Sequence, residues 1–273
     1  ITYNEPYWRQ TVSGGFYYNH TTGGTWTPKT WASPATGVVH MYHSARWGGW
    51  NFQLAARNDT DHSLTFACTL LKPVSRPGGQ VVHVRDREAG LVPCPRDGSP
   101  AIVEGGWQEA RGSDIGPQYT NRRYNNSYFV DNIKEELDSE GEWFFDPAEG
   151  PHGTLYLMPT GGGPPPPGLK LVATVQPRVV EVLGSATHPV TGFSLVNVTI
   201  AHTAATYMAR WEVPSGGDWS IHRGGAVFLD GAVGASIIGC VFDQVDGNGV
   251  FLSRHVRNSS VSDNDFLAVG ESA

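Results

Sequence analysis

Ala235-Ser-Ile-Ile-Gly-Cys-Val-Phe242 is one of three copies of a short unit, preceded by Phe193-Ser-Leu-Val-Asn-Val-Thr-Ile200 and followed by Ser259-Ser-Val-Ser-Asp-Asn-Asp-Phe266. Each copy alternates apolar and polar positions and carries a small or amide-like residue three places before its final apolar residue. Gly, Asn or Asp supplies the turns. This pattern is that of a parallel β-solenoid. The last two copies lie 24 residues apart, one coil of a right-handed β-helix, and the first two lie 42 apart. A loop of about 18 extra residues is therefore expected between the first two. Coils stacked about 4.8 Å apart make a long groove able to hold an extended polymer.

Outward from this stretch, composition points the same way. The 273 residues are 39% apolar, with 34 Gly and 19 Pro, a balance that favours a turn-rich all-β chain with a sizeable core. No uncharged apolar run reaches the length of a membrane span, since Asp243 and Asp246 interrupt the stretch from Val241 to Leu252. The net charge is -7 and the basic residues are scattered apart from Arg122-Arg123, so nucleic acid is not an expected partner.

The chain starts at Ile1 and stops at Ala273 directly after a coil, which would leave an apolar coil uncapped; the expectation is a piece of a longer protein whose coils continue. Five sequons, at Asn19, Asn58, Asn125, Asn197 and Asn258, predict a secreted, extracellular glycoprotein, although Asn197 also suits a coil corner. Cys68 and Cys94 are spaced to bridge across a β-hairpin, whereas Cys240 sits inside an apolar strand as a buried thiol.

Three regions follow. Residues 1–160 form a β-rich, sandwich-like region in which Gly37 to Tyr42, Asn51 to Ala55 and Gln80 to Val84 read as short antiparallel strands. Within it, Ser44-Ala-Arg-Trp-Gly-Gly-Trp-Asn51 is either a packed corner or a sugar platform, and Gly116 to Tyr128 reads as a loop. Phe129 to Leu137 has the spacing of one or two helical turns, and Glu142 to Pro159 reads as a closing hairpin. Residues 161–168 are a Gly/Pro connector. Residues 169–273 are the β-helix, with Leu169 to Val182 as its opening strand.

The run Asn132-Ile-Lys-Glu-Glu-Leu-Asp-Ser-Glu-Gly-Glu-Trp-Phe-Phe-Asp-Pro-Ala-Glu-Gly-Pro-His-Gly-Thr-Leu-Tyr-Leu-Met-Pro159, with Thr191-Gly-Phe-Ser-Leu-Val-Asn-Val-Thr-Ile-Ala-His-Thr203, resembles a hairpin-then-coil segment of secreted right-handed parallel β-helix proteins. That group includes glycoside hydrolases of the β-xylosidase and α-L-fucosidase kind, in which a β-sandwich interrupts the β-helix. The resemblance implies a β-helix over the C-terminal part and an activity on polysaccharide or oligosaccharide. The Gly-x-Asp-Asp, Gly-His-Gly and Arg-Ile-Lys pattern of polygalacturonases is absent, and no carboxylate cluster for a pectate-lyase Ca²⁺ site can be placed.

Glycoside hydrolysis needs two carboxyl groups flanking a glycosidic oxygen, about 5 to 5.5 Å apart in retaining enzymes and about 6.5 to 9.5 Å in inverting ones. Aligning Phe242 with Phe266 sets Asp246 opposite Gly270, so Asp246 and Glu271 fall on neighbouring coils about 6 Å apart along the backbone. The pair is read as catalytic, Asp246 as nucleophile or base and Glu271 as general acid, matching the Asp and Glu on adjacent coils that the resemblance implies. Asp243 competes for the same groove. Both segments also suit coil turns whose acidic groups bond backbone amides.

The insertion from Tyr207 to Gly225 should overhang the groove with Arg210, Trp211, Asp218, Trp219, His222 and Arg223, a set suited to stacking a sugar and binding its hydroxyls; alternatively its Trp residues pack onto the solenoid. His202, at the coil edge, either makes a structural hydrogen bond or lines the same groove. No metal-ligand spacing, phosphate loop or cofactor motif occurs. The leading expectation is hydrolysis of glycosidic bonds. The alternatives are a non-catalytic structural or glycan-binding component of an extracellular assembly with further chains, and a polysaccharide lyase using His222 and Arg223.

Overall fold

The computed structural model describes residues 14–17, 30–42, 49–86, 88–95, 99–108, 127–209, 211–212 and 221–270. The chain divides into two units, residues 1–169 with 215–219, and residues 170–214 with 220–273. Regular structure among the described residues is β, apart from the 3-10 turns Pro34–Thr36 and Lys134–Glu136. No helix among them is long and apolar enough to cross a membrane.

In the first unit, Val39 and Met41, Phe52 and Leu54, and Leu64 and Phe66 alternate along the strands Val38–Tyr42, Gly49–Asn58 and Ser63–Ser75. A strand turns every second side chain to the same face, and these six are buried together with Phe16 and Ile133. Nine strands of this unit join in one hydrogen-bonded network. The cause is the length of Ser63–Ser75. It pairs with Gly15–Tyr17 and Gly49–Asn58 at its start, Leu91–Pro93 and Ala101–Val103 in its middle, and Val81–Arg85 at its end.

Cys68 and Cys94 form a disulfide across 26 residues, buried within the same core. Chain-entropy arguments for a loop of this size predict that the double variant Cys68→Ala/Cys94→Ala loses about 3 kcal/mol. Chemical denaturation of the variant beside the wild type checks this.

The helix expected over Phe129 to Leu137 is instead the strand Ser127–Asp131 followed by the 3-10 turn Lys134–Glu136. Val39 pairs with Val130, and the partly buried Tyr128 and Val130 pack against the core of this unit, while Phe129 is turned outward over His40 with ring centroids 4.4 Å apart. Period-two burial therefore overrides the four-residue spacing of Phe129, Ile133 and Leu137. The closing hairpin is formed by Trp143–Asp146 and Thr154–Leu157, with Trp143 opposite Leu157.

In the second unit the repeat becomes four parallel ladders. The first joins Val180–Leu183, Val227–Asp230 and Val250–Leu252. The second joins Val190–Thr191 and Ala232–Val233. The third joins Ser194–Val196, Ser236–Ile238 and Ser260–Ser262. The fourth joins Thr199–Ala201, Val241–Asp243 and Asp265–Leu267. Ile200, Phe242 and Phe266 are in register, as the copy spacings require. Val227, Leu229, Ile237, Phe242 and Val245 fill the interior with exposures of 1% or less, and Phe242 stacks on Phe266 with centroids 4.7 Å apart.

Pairing begins at Val180, not at Leu169, so the opening strand is shorter than expected. Proline at 177 offers no N–H to a ladder, and the strand alongside starts only at Val227.

Three columns of corner residues carry left-handed backbone: Gly192, Gly234 and Asn258; Asn197, Gly239 and Asp263; His202, Gln244 and Ala268, all with φ between 50° and 69°. Within each coil the corners fall five residues apart. Gly, Asn and Asp tolerate this conformation best, which explains the small or amide-like position in each copy of the repeat.

Candidate functional site

After the fourth ladder each coil returns to the first through a loop, and the loops stack. The described residues 202–209 and 221–226 belong to one, residues 244–249 form the next, and residues 268–270 lie alongside it. Thr203 Oγ1 accepts the Asp246 N–H at 3.0 Å. Asn248 Nδ2 donates to the His222 and Gly224 carbonyls at 3.1 and 2.8 Å. A Cβ added to Gly247 would lie 2.8 Å from Thr206 Oγ1, so the loops touch at that point. On one side of this stack the Ala204 N–H donates to the Gln176 carbonyl, and on the other the Gly270 N–H donates to Val245. A column thus runs from Gln176 through Thr206 and Asp246 to Gly270, advancing about 4.8 Å per coil.

A cleft of about 610 Å³ opens beside the column, lined by Gln176, Arg178, Glu181, Thr206, Ala209 and His222, all in the second unit. Glu181 reaches it because Val180 and Val182 on either side turn toward the core. In the outward row of the first ladder Glu181 is followed by Phe228 and Phe251. The two rings stack with centroids 5.9 Å apart. The Arg178 guanidinium lies 4.4 Å above Phe228 and that of Arg223 lies 5.5 Å above Phe251. Arg178 also donates to Glu181 Oε1 at 2.6 Å and to the Arg223 carbonyl at 3.0 Å. Arg223 donates to Ser253 Oγ at 2.7 Å. Two cations are thereby fixed one coil apart on a stacked aromatic pair.

The long insertion contributes a wall. Its Trp211–Glu212 and Ile221–His222 segments pair antiparallel, and the Trp211 and His222 rings are 6.0 Å apart.

Asp246 is exposed, and its Oδ1 lies 2.9 Å from the position a Gly270 Cβ would take, so the carboxylate is directed along the stack toward the next coil. Asp243 is half-buried in the fourth ladder between Ala201 and Leu267, away from the loop column. His202 is an exposed corner residue with φ 56°, and its N–H donates to the Asp243 carbonyl at 3.2 Å. Arg223 and His222 come to the first ladder and the cleft as described. Glu271, Arg210, Asp218 and Trp219 lie outside the described residues, as do Asn19, Asn125 and residues 43–48 of the Trp-Gly-Gly-Trp segment. Of the remaining sequon residues, Asn58 accepts the Thr60 N–H at 2.9 Å, and Asn197 and Asn258 are exposed at coil corners.

Sequence reading did not single out Gln176, Arg178, Glu181 or Thr206 as site residues. A signal for Glu181 existed in Val180-Glu-Val, Val227-Phe-Leu and Val250-Phe-Leu, which occupy the same place in successive coils.

No protein-family model matches this chain. No curated protein matches it either. A solved structure described as a glycoside hydrolase is similar to it over 85% of this chain and 37% of its own, at 15% identity and a TM-score of 0.49. The chain spans little more than a third of that protein's length.

Proposed function

We propose that the second unit is a right-handed parallel β-helix of a secreted, carbohydrate-active protein, and that it hydrolyses glycosidic bonds in a polysaccharide or oligosaccharide. The observation that carries this reading is the placement of Asp246. It stands exposed on the loop column, one coil from Thr206 of the cleft, with its carboxylate directed at Gly270, the residue before Glu271. In the proposed chemistry Asp246 is the nucleophile or base and Glu271 donates a proton to the departing oxygen. The groove beside them follows the coil stack, the direction an extended glycan would take. The Cys68–Cys94 disulfide supports an oxidising, extracellular setting, as do the sequons.

The test is release of reducing ends from soluble plant, algal and microbial polysaccharides, measured for the wild-type chain. Turnover of at least one of them, without added cofactor, is expected. A second reading, a non-catalytic glycan-binding component of an extracellular assembly, is favoured by the tie of the Asp246 N–H to Thr203, which also suits a rigid turn. Retention of a polysaccharide in affinity electrophoresis with no reducing ends released would select it.

A further inference from the structure

We infer that the cleft at Arg178, Glu181, Thr206 and His222 is a binding subsite for a neutral, hydroxyl-bearing sugar, and that it discriminates against uronic acids. The inference deepens the carbohydrate reading by giving the substrate class, and its test is binding, so it stands or falls separately from hydrolysis.

The argument begins with charge. The Arg178 guanidinium would be the natural counter-ion of a sugar carboxylate, yet Glu181 Oε1 already neutralises it, accepting one N–H of Nη1 at 2.6 Å, while one N–H of Nη2 goes to the Arg223 carbonyl at 3.0 Å. The pair cancels its own charge within the cleft wall. A uronate entering there would meet the Glu181 carboxylate beside the cation, and like charges at close range are costly. A neutral sugar meets complementary groups. A carboxylate accepts hydroxyl protons through its remaining lone pairs, a guanidinium offers N–H donors in a fixed plane, and the Gln176 amide and Thr206 hydroxyl both donate and accept.

Preorganisation points the same way. The Arg178 guanidinium is pinned from below by the Phe228 ring at 4.4 Å and laterally by Glu181, so little side-chain freedom is lost on binding. The cleft volume of about 610 Å³ lies within the range of about 300 to 1,000 Å³ usual for small-ligand pockets. Its Thr206 wall rests on Gly247, next to Asp246, so a chain with one sugar in the cleft would pass Asp246 as it continues along the coils.

Titration calorimetry with xylan, glucan and galactan oligosaccharides, against oligogalacturonate of matched length, tests the inference on the whole chain. At least one neutral oligomer should bind, and at least tenfold more tightly than oligogalacturonate. Glu181→Gln leaves the side-chain shape but frees Arg178 from its counter-ion. It should weaken the neutral oligomer severalfold and strengthen oligogalacturonate about tenfold, reversing or abolishing the preference. His222→Ala, which removes the ring that lies beside Arg178 at Gly224, should weaken the neutral oligomer without strengthening the acidic one. Circular dichroism melts verify that both variants are folded. No binding by any neutral oligomer, tighter wild-type binding of oligogalacturonate, or an unchanged preference in Glu181→Gln overturns the inference. Neutral binding with the expected reversal but no turnover would leave the inference standing and remove hydrolysis.

Discussion

Replacing Asp246 by Asn should lower turnover of any glycan the wild-type chain cleaves by about 10²–10⁴-fold, the range typical for loss of a general acid or base. Melting should be unchanged within about 0.5 kcal/mol, as for surface substitutions. The two expectations separate because the fold uses a different part of the residue from the one assigned to chemistry. The Asp246 N–H is held by Thr203 Oγ1, and Asn keeps that N–H and nearly the same volume, whereas the exposed carboxylate that would react is lost. Initial rates of reducing-end release, with thermal melts on the same preparations, supply both numbers. Glu271→Gln should lower the rate comparably. Asp243→Asn is the control, because Asp243 sits in the fourth ladder between Ala201 and Leu267 rather than on the loop column. Loss of turnover in Asp243→Asn with normal rates in Asp246→Asn would move the reacting groups to the face of that ladder and remove the assignment made above.

Phe242→Ala should destabilise the second unit by about 3–5 kcal/mol, the usual cost of deleting a buried aromatic side chain. Phe242 has no exposed surface, lies in register with Ile200 on one side and Phe266 on the other, and stacks on Phe266 at an interplanar angle of 6°. Truncation therefore opens a cavity between coils and strips one face from Phe266. Phe242 sits in the middle strand of its parallel ladder, so the loss falls on the contacts to both neighbouring strands at once. For a unit of about 100 residues each kcal/mol corresponds to about 4–8 °C, so the melting temperature should fall by more than about 12 °C. Differential scanning calorimetry measures it. A shift of only a few degrees would mean that the stack draws little stability from this layer. Phe242→Leu, which keeps most of the volume, should cost markedly less.

The parallel ladders were legible because parallel pairing of repeated units converts a sequence spacing directly into a neighbour. Once Phe242 is aligned with Phe266, the partners Val241 with Asp265 and Ile237 with Val261 follow without further information. The first unit is less direct, since its register depends on contacts distant in sequence. Whether Phe129 faces the core or solvent is decided by pairing with Val38–Tyr42, about 90 residues away along the chain. The local spacing of Phe129, Ile133 and Leu137 carries no trace of it, and a helix was the natural misreading.

Asp246 was singled out from the sequence because it follows a copy of the repeat. Arg178 and Glu181 were not, because His222, which lines the same cleft, lies about 40 residues further along the chain and no motif has that spacing. The histidine corner is instructive in a different way. His202 looks chemically capable in the sequence, but its φ of 56° and its place in the column with Gln244 and Ala268 mark it as a backbone position first.

That column has a consequence for how such a chain can change. Gly192, Asn197 and His202 set the corners of one coil, and Gly234, Gly239 and Gln244 set those of the next, with identical five-residue intervals, although the two coils differ in length by the whole insertion. The growth is confined to the crossing after the last corner. A segment there can lengthen, shorten or be exchanged while every ladder keeps its register. The framework holds this crossing at Thr206, His222, Arg223 and Gly224. Grafting another segment between Glu212 and Ile221, which keeps those ties, becomes the economical way to give the same stack a different ligand.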